Sequence, residues 1–318
     1  MRFSVFPAGA TPDAVVTVCV GEACASEAGA DGELTADDVD ELLSSLVDKS
    51  LLQPLADGAR LRMLETIREF GAEKLAGRGE VGELRRRHAA HYTALMLEAA
   101  PRLLTRDQLS WLARVRADRD NVLAALHYWC DAGEADSALS LAIALSIMAL
   151  LLGADADTAE WTGEALAVPG DADPGLRAIA EAVHLVTSVL DSSAATLTAP
   201  AGRPELTGQL DAIDIEKYPI AGLLRPVYAL FIKDDGRVRE YLEQARGVGD
   251  EWLSAAAWLM TAGLAENYGQ VDEARFHAAE AVKRFRVLGE RWGLSMALRT
   301  IGNIAALDGE LDDAVTAY

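Results

Sequence analysis

WLMTAGLAENYGQVDEARFHAAEA, residues 258–281, is the stretch that decides the fold of this chain. After an initial Trp258, its small residues recur at Ala262, Gly269, Ala274 and Ala281. Small side chains let two antiparallel helices approach closely, and a glycine between them ends the first helix. The stretch therefore predicts a helical hairpin.

A second copy of this pattern follows at residues 298–318, LRTIGNIAALDGELDDAVTAY. Its corresponding positions are Leu298, Gly302, Gly309, Ala314 and Tyr318. Fainter copies lie at 235–238 and 132–136. The spacing is that of a tetratricopeptide repeat with a period longer than the usual length of about 34 residues. We expect a tetratricopeptide-like α-superhelix; the alternative is an ordinary helical bundle with alanine-rich contacts.

The N-terminal residues follow the element order of a winged helix. Thr11, followed by proline and aspartate, is a typical helix start, and Thr35 precedes a second helix. Residues 51–55 and 60–63 flank an Asp57-Gly58 turn, which predicts a two-stranded wing before a third helix. The expected fold class is all-α with a small β wing: a winged helix followed by a tetratricopeptide-like α-superhelix.

From Glu80 onward the pattern predicts helices only, over residues 80–104, 108–130, 135–152, 158–167 and 176–190 and again from about 220. Prolines and a glycine near residues 200–204 indicate a linker. The predicted parts are a degenerate winged-helix domain at 1–77, a helical repeat region at 78–191, an irregular linker at 192–218 and tetratricopeptide repeats at 219–318. Because the last repeat is incomplete, we expect a fragment of a longer protein.

Charge is unevenly distributed along the 318 residues, whose net charge is −21. Residues 1–59 carry −9, residues 60–119 carry +5 and residues 120–318 carry −17. The overall charge excludes a general nucleic-acid coat. The basic segment suggests a docking patch for an acidic partner or phosphate, formed by Arg60, Arg62, Arg85, Arg86 and Arg87. The alternative is a solvated helix face paired with nearby acids.

The sequence offers little support for catalysis, metal binding or a cofactor. Cys19 and Cys24 have no second Cys/His pair near them, and Cys130 is expected in the core. His88 and His91 could face one metal, but packing is the favoured interpretation. We expect no catalytic residue, no metal and no cofactor. Three cysteines and the lack of a secretory pattern suggest the cytoplasm, and the apolar stretch at 138–152 is short for a membrane span.

Several blocks of the sequence carry a resemblance to a known family. They are FSVFPAGAT at 3–11, LLSSLVDKSL at 42–51, LRMLETIREF at 61–70, RRHAAHY at 86–92 and DNVLAAL at 120–126. This series resembles the region after the nucleotide-binding domain in actinobacterial transcriptional regulators of the signal-transducing ATPase (STAND) class, including SARP-like and LuxR-like proteins. The resemblance covers about residues 1–165 closely and the rest through its repeats.

The resemblance implies a winged helix that regulates an ATPase and a repeat array that senses a ligand or partner. The chain lacks the Gly-x-x-x-x-Gly-Lys-Ser/Thr motif that binds nucleotide phosphates, so we expect no ATP hydrolysis by this chain alone. The groove-lining positions of the repeats fall on Leu259, Glu266, Met296, Arg299 and Asn303. These residues are the expected contacts for a protein or peptide partner, which could be the missing ATPase domain.

The favoured function is therefore the regulatory and sensing part of a STAND-type transcriptional regulator that binds a protein or ligand through its repeats. One alternative is a stand-alone tetratricopeptide adaptor for protein–protein contacts. Another is a transcription factor that binds DNA directly through its winged helix. The second helix argues against the latter, because Asp37, Asp38, Asp40 and Glu41 lie where a DNA-reading helix needs basic or amide side chains.

Overall fold

The computed structural model describes residues 1–20, 35–55, 58–152, 158–191 and 204–317. Within these residues the chain is all-α with a small β wing, as the sequence predicts. The chain divides into two compact units: Met1–Glu98 with Ala113–Leu141, and Ala99–Leu112 with Ala142–Tyr318. No helix in the described residues is long and apolar enough to cross a membrane.

The first unit begins with a short 3-10 helix at Arg2–Val5 and contains the β wing. Its helices and strands, in chain order, are α1 (Pro12–Cys19), α2 (Ala36–Asp48), β1 (Leu52–Pro54), β2 (Leu61–Met63), α3 (Glu65–Ala76), α4 (Val81–Arg102), α5 (Gln108–Ala117), α6 (Arg119–Ala132) and α7 (Ala135–Leu152). Helices α4 and α7 continue into the second unit, whereas α5 begins in the second unit and ends in the first.

Side-chain caps fix the first two α-helices where the sequence predicts them. The Thr11 hydroxyl accepts a hydrogen bond from the Ala14 N–H, and Pro12 occupies the first turn, where it needs no donor. Thr35 and Asp38 form a reciprocal capping box at the start of α2. These caps satisfy backbone N–H groups that a helix start leaves without partners.

The two strands pair antiparallel, with Leu52 opposite Met63 and Pro54 opposite Leu61, so the predicted wing is confirmed. Asp57 of the predicted turn lies outside the described residues. A bridge between Ala10 and Leu61 adds the N-terminal segment to the wing. It requires Gly9, because a Cβ there would lie 2.2 Å from the Leu61 carbonyl oxygen.

The predicted helix at 108–130 is wrong in one respect: it is two helices, α5 and α6. The break is at Asp118, whose φ of −104° and ψ of 8° leave the helical region. The Asp118 carboxylate accepts hydrogen bonds from Arg60 at 2.7 Å and from Asn121 at 2.9 Å. A buried polar network of this kind depends on partners distant in sequence, which helical periodicity does not reveal.

The remaining helices belong to the second unit. They are α8 (Thr158–Ala167), α9 (Pro174–Asp191), α10 (Pro204–Ala212), α11 (Pro219–Phe231), α12 (Asp235–Gly247), α13 (Glu251–Asn267), α14 (Val271–Leu288), α15 (Arg291–Leu307) and α16 (Leu311–Ala317). Helix α10 corrects the expectation of an irregular linker at 192–218. The first part of that linker, 192–203, lies outside the described residues.

One turn recurs between successive helices of the second unit. A left-handed residue follows α11, α13 and α15: Lys233 with φ of 59°, Gly269 with 72° and Gly309 with 81°. In each turn the next residue donates its N–H to the carbonyl five residues earlier, as Gln270 does to Ala265 at 2.8 Å. This is the Schellman motif, which satisfies the last carbonyls of a helix. The same turn follows α6, at Gly133.

Helix α11 packs on α12, and α13 packs on α14, around alanine-rich cores. Helix α14 also packs on α15. One core cluster contains Trp252, Ala256, Ala281, Phe285 and Ala297. Gly293 of α15 allows a close approach there, since a Cβ at this position would lie 2.3 Å from the Phe285 ring.

Candidate functional site

The predicted partner groove lies on α13 and α15, which contact each other. The structure brings two of its residues together: Asn303 Nδ2 donates to Glu266 Oε1 at 3.3 Å. Leu259 is half-buried against the core cluster of Trp252 and Phe285. Met296 is half-buried and Arg299 is exposed. A partner on this face would therefore meet a polar pair beside partly buried apolar side chains.

The predicted basic docking patch is wrong for Arg60. This side chain is only 5% exposed, and its Nη2 donates to Asp118 Oδ1 at 2.7 Å and to the Gly9 carbonyl at 3.2 Å. The guanidinium therefore lies inside the first unit. Alternation along the strand does not explain this burial, because it would place Arg60 on the same face as the exposed Arg62. The physical reason is the pairing of the Arg60 guanidinium with the Asp118 carboxylate and the Gly9 carbonyl.

The other members of the patch have separate environments. Arg86 donates two hydrogen bonds, from Nε and Nη2, to the Glu83 carboxylate oxygens, each at 2.9 Å. Arg87 donates to the backbone carbonyls of Thr17, in the last turn of α1, and of Val20, just after that helix. Arg62 and Arg85 are exposed. A docking patch of five arginines is thus reduced to exposed cations at Arg62, Arg85 and, beside its own carboxylate, Arg86.

His88 and His91, the two histidines considered as metal ligands, both lie beside the Tyr92 ring. His88 is buried; it lies against the Phe6 and Tyr92 rings, and its Nε2 is 3.5 Å from Asn121 Oδ1. Burial lowers the pKa of His88 to about 4. Among the described residues, no group of three or more His, Cys, Asp or Glu side chains could hold a metal ion. Cys24 lies outside them, and Cys130 is half-buried.

The sequence analysis missed a cleft between α12 and α14, to whose lining α13 also contributes. Its volume is about 560 Å³, and Arg246 also lines a second cleft of about 400 Å³. The two clefts together run along the face of α12 and α14. In the chain these two helices are separated by α13 alone.

Two arginines converge on one tryptophan at this cleft. The guanidinium carbon of Arg246 lies 4.1 Å from the centroid of a Trp258 ring, and that of Arg284 lies 5.4 Å from it. The His277 ring also packs on Trp258, at 5.3 Å. A cation over an indole face is attracted by the quadrupole of the ring, so Trp258 holds both guanidinium groups in place.

Several polar atoms of this cluster are buried without a hydrogen-bond partner among the described residues. They are Nε of Arg246, Nε of Arg284 and Nδ1 of His277. Arg246 Nη2 donates to the Thr261 hydroxyl. Burial lowers the pKa of Arg246; Glu243 opposes this effect, and Arg284 adds to it. Burial likewise lowers the pKa of His277, and the charge on Arg246 lowers it further, while Glu273 raises it.

Sequence patterns contain only part of this site. Trp258 is visible in the sequence as the first residue of the repeat pattern, but Arg246 and Arg284 come from two different helices. The signal that could have found them is the position of each near the C-terminal end of the second helix of its hairpin. The convergence on Trp258 depends on how the hairpins pack.

Comparisons with known proteins find a limited similarity to transcriptional regulators. Over 110 residues the chain is 38% identical to proteins of Mycobacterium bovis and of two strains of Mycobacterium tuberculosis, each provisionally named an HTH-type transcriptional regulator. The match covers 32% of this chain and 12% of each relative's length. The chain therefore has similarity to transcriptional regulators across a limited part of their length.

No protein-family profile matches the chain. No solved structure matches it either.

Proposed function

We propose that this chain is a regulatory and sensing part of a STAND-type transcriptional regulator. Its helical array, of tetratricopeptide type, binds a protein or a small ligand, and the chain performs no catalysis by itself. The similarity to HTH-type transcriptional regulators supports the regulatory role. The array supplies the binding surface.

The observation that carries this proposal is the repeated Schellman turn after α11, α13 and α15. Turns of one type recur at Lys233, Gly269 and Gly309 and so end the first helix of each hairpin in the same way. Stacked hairpins create extended surfaces for ligands and partners. The α13–α15 face, with the Glu266–Asn303 hydrogen bond, is one such surface.

The proposed mechanism is a change in binding free energy transmitted along the chain. A partner or ligand bound to the array shifts the regulator between an inactive and an active state, and the N-terminal unit relays this shift to an ATPase domain. Differential binding to the two states is the thermodynamic requirement for such a response. Signal transduction of this kind needs no catalytic residue in the chain.

The experiment for this proposal is a transcript profile in the native host. Deleting the coding sequence should change transcript levels, and Glu266→Arg should reproduce much of that change at unaltered protein abundance. The control is Glu240→Arg, which makes the same charge change on α12 outside both the groove and the cleft. Unchanged transcripts in the deletion strain would contradict the proposal, and a response to Glu240→Arg would contradict the groove.

Direct DNA binding is the rival with the clearest test. Fluorescence anisotropy of the purified chain with duplex DNA should show no salt-sensitive binding, because α2 exposes Asp37, Asp40 and Glu41 and Arg60 is buried. Micromolar binding that weakens steeply with salt would instead favour the direct DNA-binding function. A normal transcript profile together with a stable protein partner would favour the adaptor.

A further inference from the structure

We propose that the cleft between α12 and α14 binds a small amphiphilic acid, with its oxyanion between Arg246 and Arg284 and its apolar body along α12 and α13. This inference rests on the proposed function, because it names the ligand class that the sensing array would take. It concerns a different surface from the predicted groove on α13 and α15.

The first argument is the convergence of two like charges. Arg246 and Arg284 both lie over Trp258, and the charge on Arg284 disfavours the charged form of Arg246. The two positive charges repel each other, and an anion that contacts both guanidinium groups would offset this repulsion. Arginine is the side chain best suited to bind a carboxylate or phosphate through two parallel hydrogen bonds.

The second argument is unused hydrogen-bonding capacity. The Nε atoms of Arg246 and Arg284 are buried and have no acceptor among the described residues. A buried donor without an acceptor costs free energy, typically about 1–3 kcal/mol. A ligand oxyanion would supply acceptors to both side chains and remove that cost.

The third argument is the local charge balance. Lys283 and Arg284 share Glu280, at 3.9 Å and 3.8 Å, and Glu251 also lines the second cleft. Arg246 forms no ion pair with any described carboxylate. In a chain of net charge −21, the junction of the two clefts therefore keeps a cation available for an acidic ligand.

The fourth argument is the apolar wall beside these cations. The larger cleft is lined by Leu230, Val238, Leu242 and Leu264, and its volume of about 560 Å³ lies in the range of small-molecule sites. The acidic side chains Asp235, Glu243 and Glu273 also line this cleft. They disfavour a second negative charge on the ligand, so the body of the ligand should be uncharged.

The test uses the full chain and 1-anilinonaphthalene-8-sulfonate, a fluorescent probe with an anionic group on an apolar body. Octanoate should displace the probe at concentrations at least tenfold lower than octanol or inorganic phosphate, which each carry one half of the proposed chemistry. Equal displacement by octanol would overturn the proposal in favour of a purely apolar surface. Displacement by phosphate alone would reduce the site to a simple anion site, and absence of probe binding would also overturn it.

Variants locate the site. Arg284→Gln and Arg246→Gln should each weaken octanoate binding at least tenfold, whereas Arg286→Gln should leave it unchanged. Arg286 is a matched control because it is exposed on the same helix as Arg284 and lines neither cleft. Equal weakening by Arg286→Gln would show a general charge effect and overturn the assignment.

Arg246 also bonds Thr261, so its loss could disturb folding. Arg246→Lys keeps the charge without the planar fork, and we expect it to bind octanoate more weakly than the native chain at an unchanged melting temperature. Wild-type affinity in Arg246→Lys would contradict the forked contact. These binding assays need neither DNA nor transcription, so their failure would leave the regulatory proposal standing, and failure of the transcript experiment would leave the binding result standing.

Discussion

Arg60 and Arg62 lie two positions apart at the wing, but their side chains have opposite environments. Arg60 is buried beside Asp118 and Gly9, whereas Arg62 is exposed. A buried ion pair is weak evidence for net stabilisation, but removing one partner leaves the other charge buried alone. The two arginines therefore make a matched pair for mutation.

We expect Arg60→Ala to lower the free energy of unfolding of the first unit by about 3 kcal/mol, because the Asp118 carboxylate loses its cation. Arg62→Ala should change it by less than about 0.5 kcal/mol, as is usual for exposed positions. Urea unfolding followed by circular dichroism measures both. Equal effects of the two variants would contradict the buried ion pair.

His88 should make the first unit sensitive to acid. Burial lowers its pKa from 6.5 to about 4, so the unfolded chain binds more protons than the native chain between these values. The contribution of neutral His88 to the free energy of unfolding is fully present above pH 6.5. This contribution is lost as the pH falls towards 4. Its full size is on the order of 3 kcal/mol.

The measurement is the unfolding free energy of the native chain and of His88→Gln at several pH values from 7 to 4. We expect a shallower fall for His88→Gln, since glutamine does not titrate. Carboxylates titrate in both proteins, so the difference between the two curves isolates His88. Parallel curves would show that His88 is not held neutral by the fold.

At this scale, the sequence is a poor guide to the candidate sites. A run of arginines indicates positive charge, but burial of Arg60 and the stacking of Arg246 on Trp258 depend on contacts between distant segments. The proximity of Glu266 and Asn303 could be predicted from the sequence, because equivalent positions on alternate helices of a repeat lie on one face.

At the scale of elements, the Schellman turns determine where each hairpin reverses. Gly269 has φ of 72°, which costs an L residue about 1–2 kcal/mol, so Gly269→Ala should destabilise the second unit by about 1 kcal/mol. The matched control is Gly263→Ala, inside α13, where a Cβ meets nothing within 4 Å. It should stabilise the unit by a similar amount, because alanine is the better helix former.

Thermal unfolding followed by tryptophan fluorescence distinguishes these two variants by the sign of the shift. Lys233 occupies the same left-handed position without being glycine, so its backbone carries the conformational cost that Gly269 avoids. Two destabilising or two stabilising glycine substitutions would contradict the role assigned to the turn.

Helix starts were the most predictable feature of the elements. Thr11 and Thr35 cap as their residue type suggests, because a cap needs only neighbours within three residues. The break at Asp118 and the helix α10 were missed. The break at Asp118 depends on its contact with Arg60, which is distant in the sequence. Helix α10 was missed because it is short and follows a proline-rich stretch.

At the scale of the whole molecule, each unit is assembled from separate parts of the chain. Residues Ala99–Leu112 belong to the second unit, although residues on both sides belong to the first. Gln108 Nε2 donates to Glu290, a fully buried carboxylate that also caps α15 through the Trp292 and Gly293 N–H groups at 2.7 Å. The sequence division at 77, 191 and 218 could not anticipate this arrangement, because it assumed that each part is continuous.

We expect the two units to unfold in distinguishable transitions. Five of the six tryptophans belong to the second unit, so fluorescence follows it selectively, whereas circular dichroism follows both units. Gln108→Ala should destabilise the second unit by about 1–3 kcal/mol, since it leaves the buried Glu290 with one donor fewer. Arg60→Ala should shift the dichroism transition and spare the fluorescence one. Identical shifts in both signals for both variants would indicate a single cooperative unit.

The three-residue reversals between helices also have a kinetic consequence. Each one brings helix partners together across a very short loop, so little chain entropy opposes the encounter. Proteins dominated by such local encounters reach the native state quickly, and a hairpin such as α13–α14 can form before the rest of the chain is available. During synthesis, this part of the molecule can therefore acquire structure in step with its emergence from the ribosome, one hairpin after another.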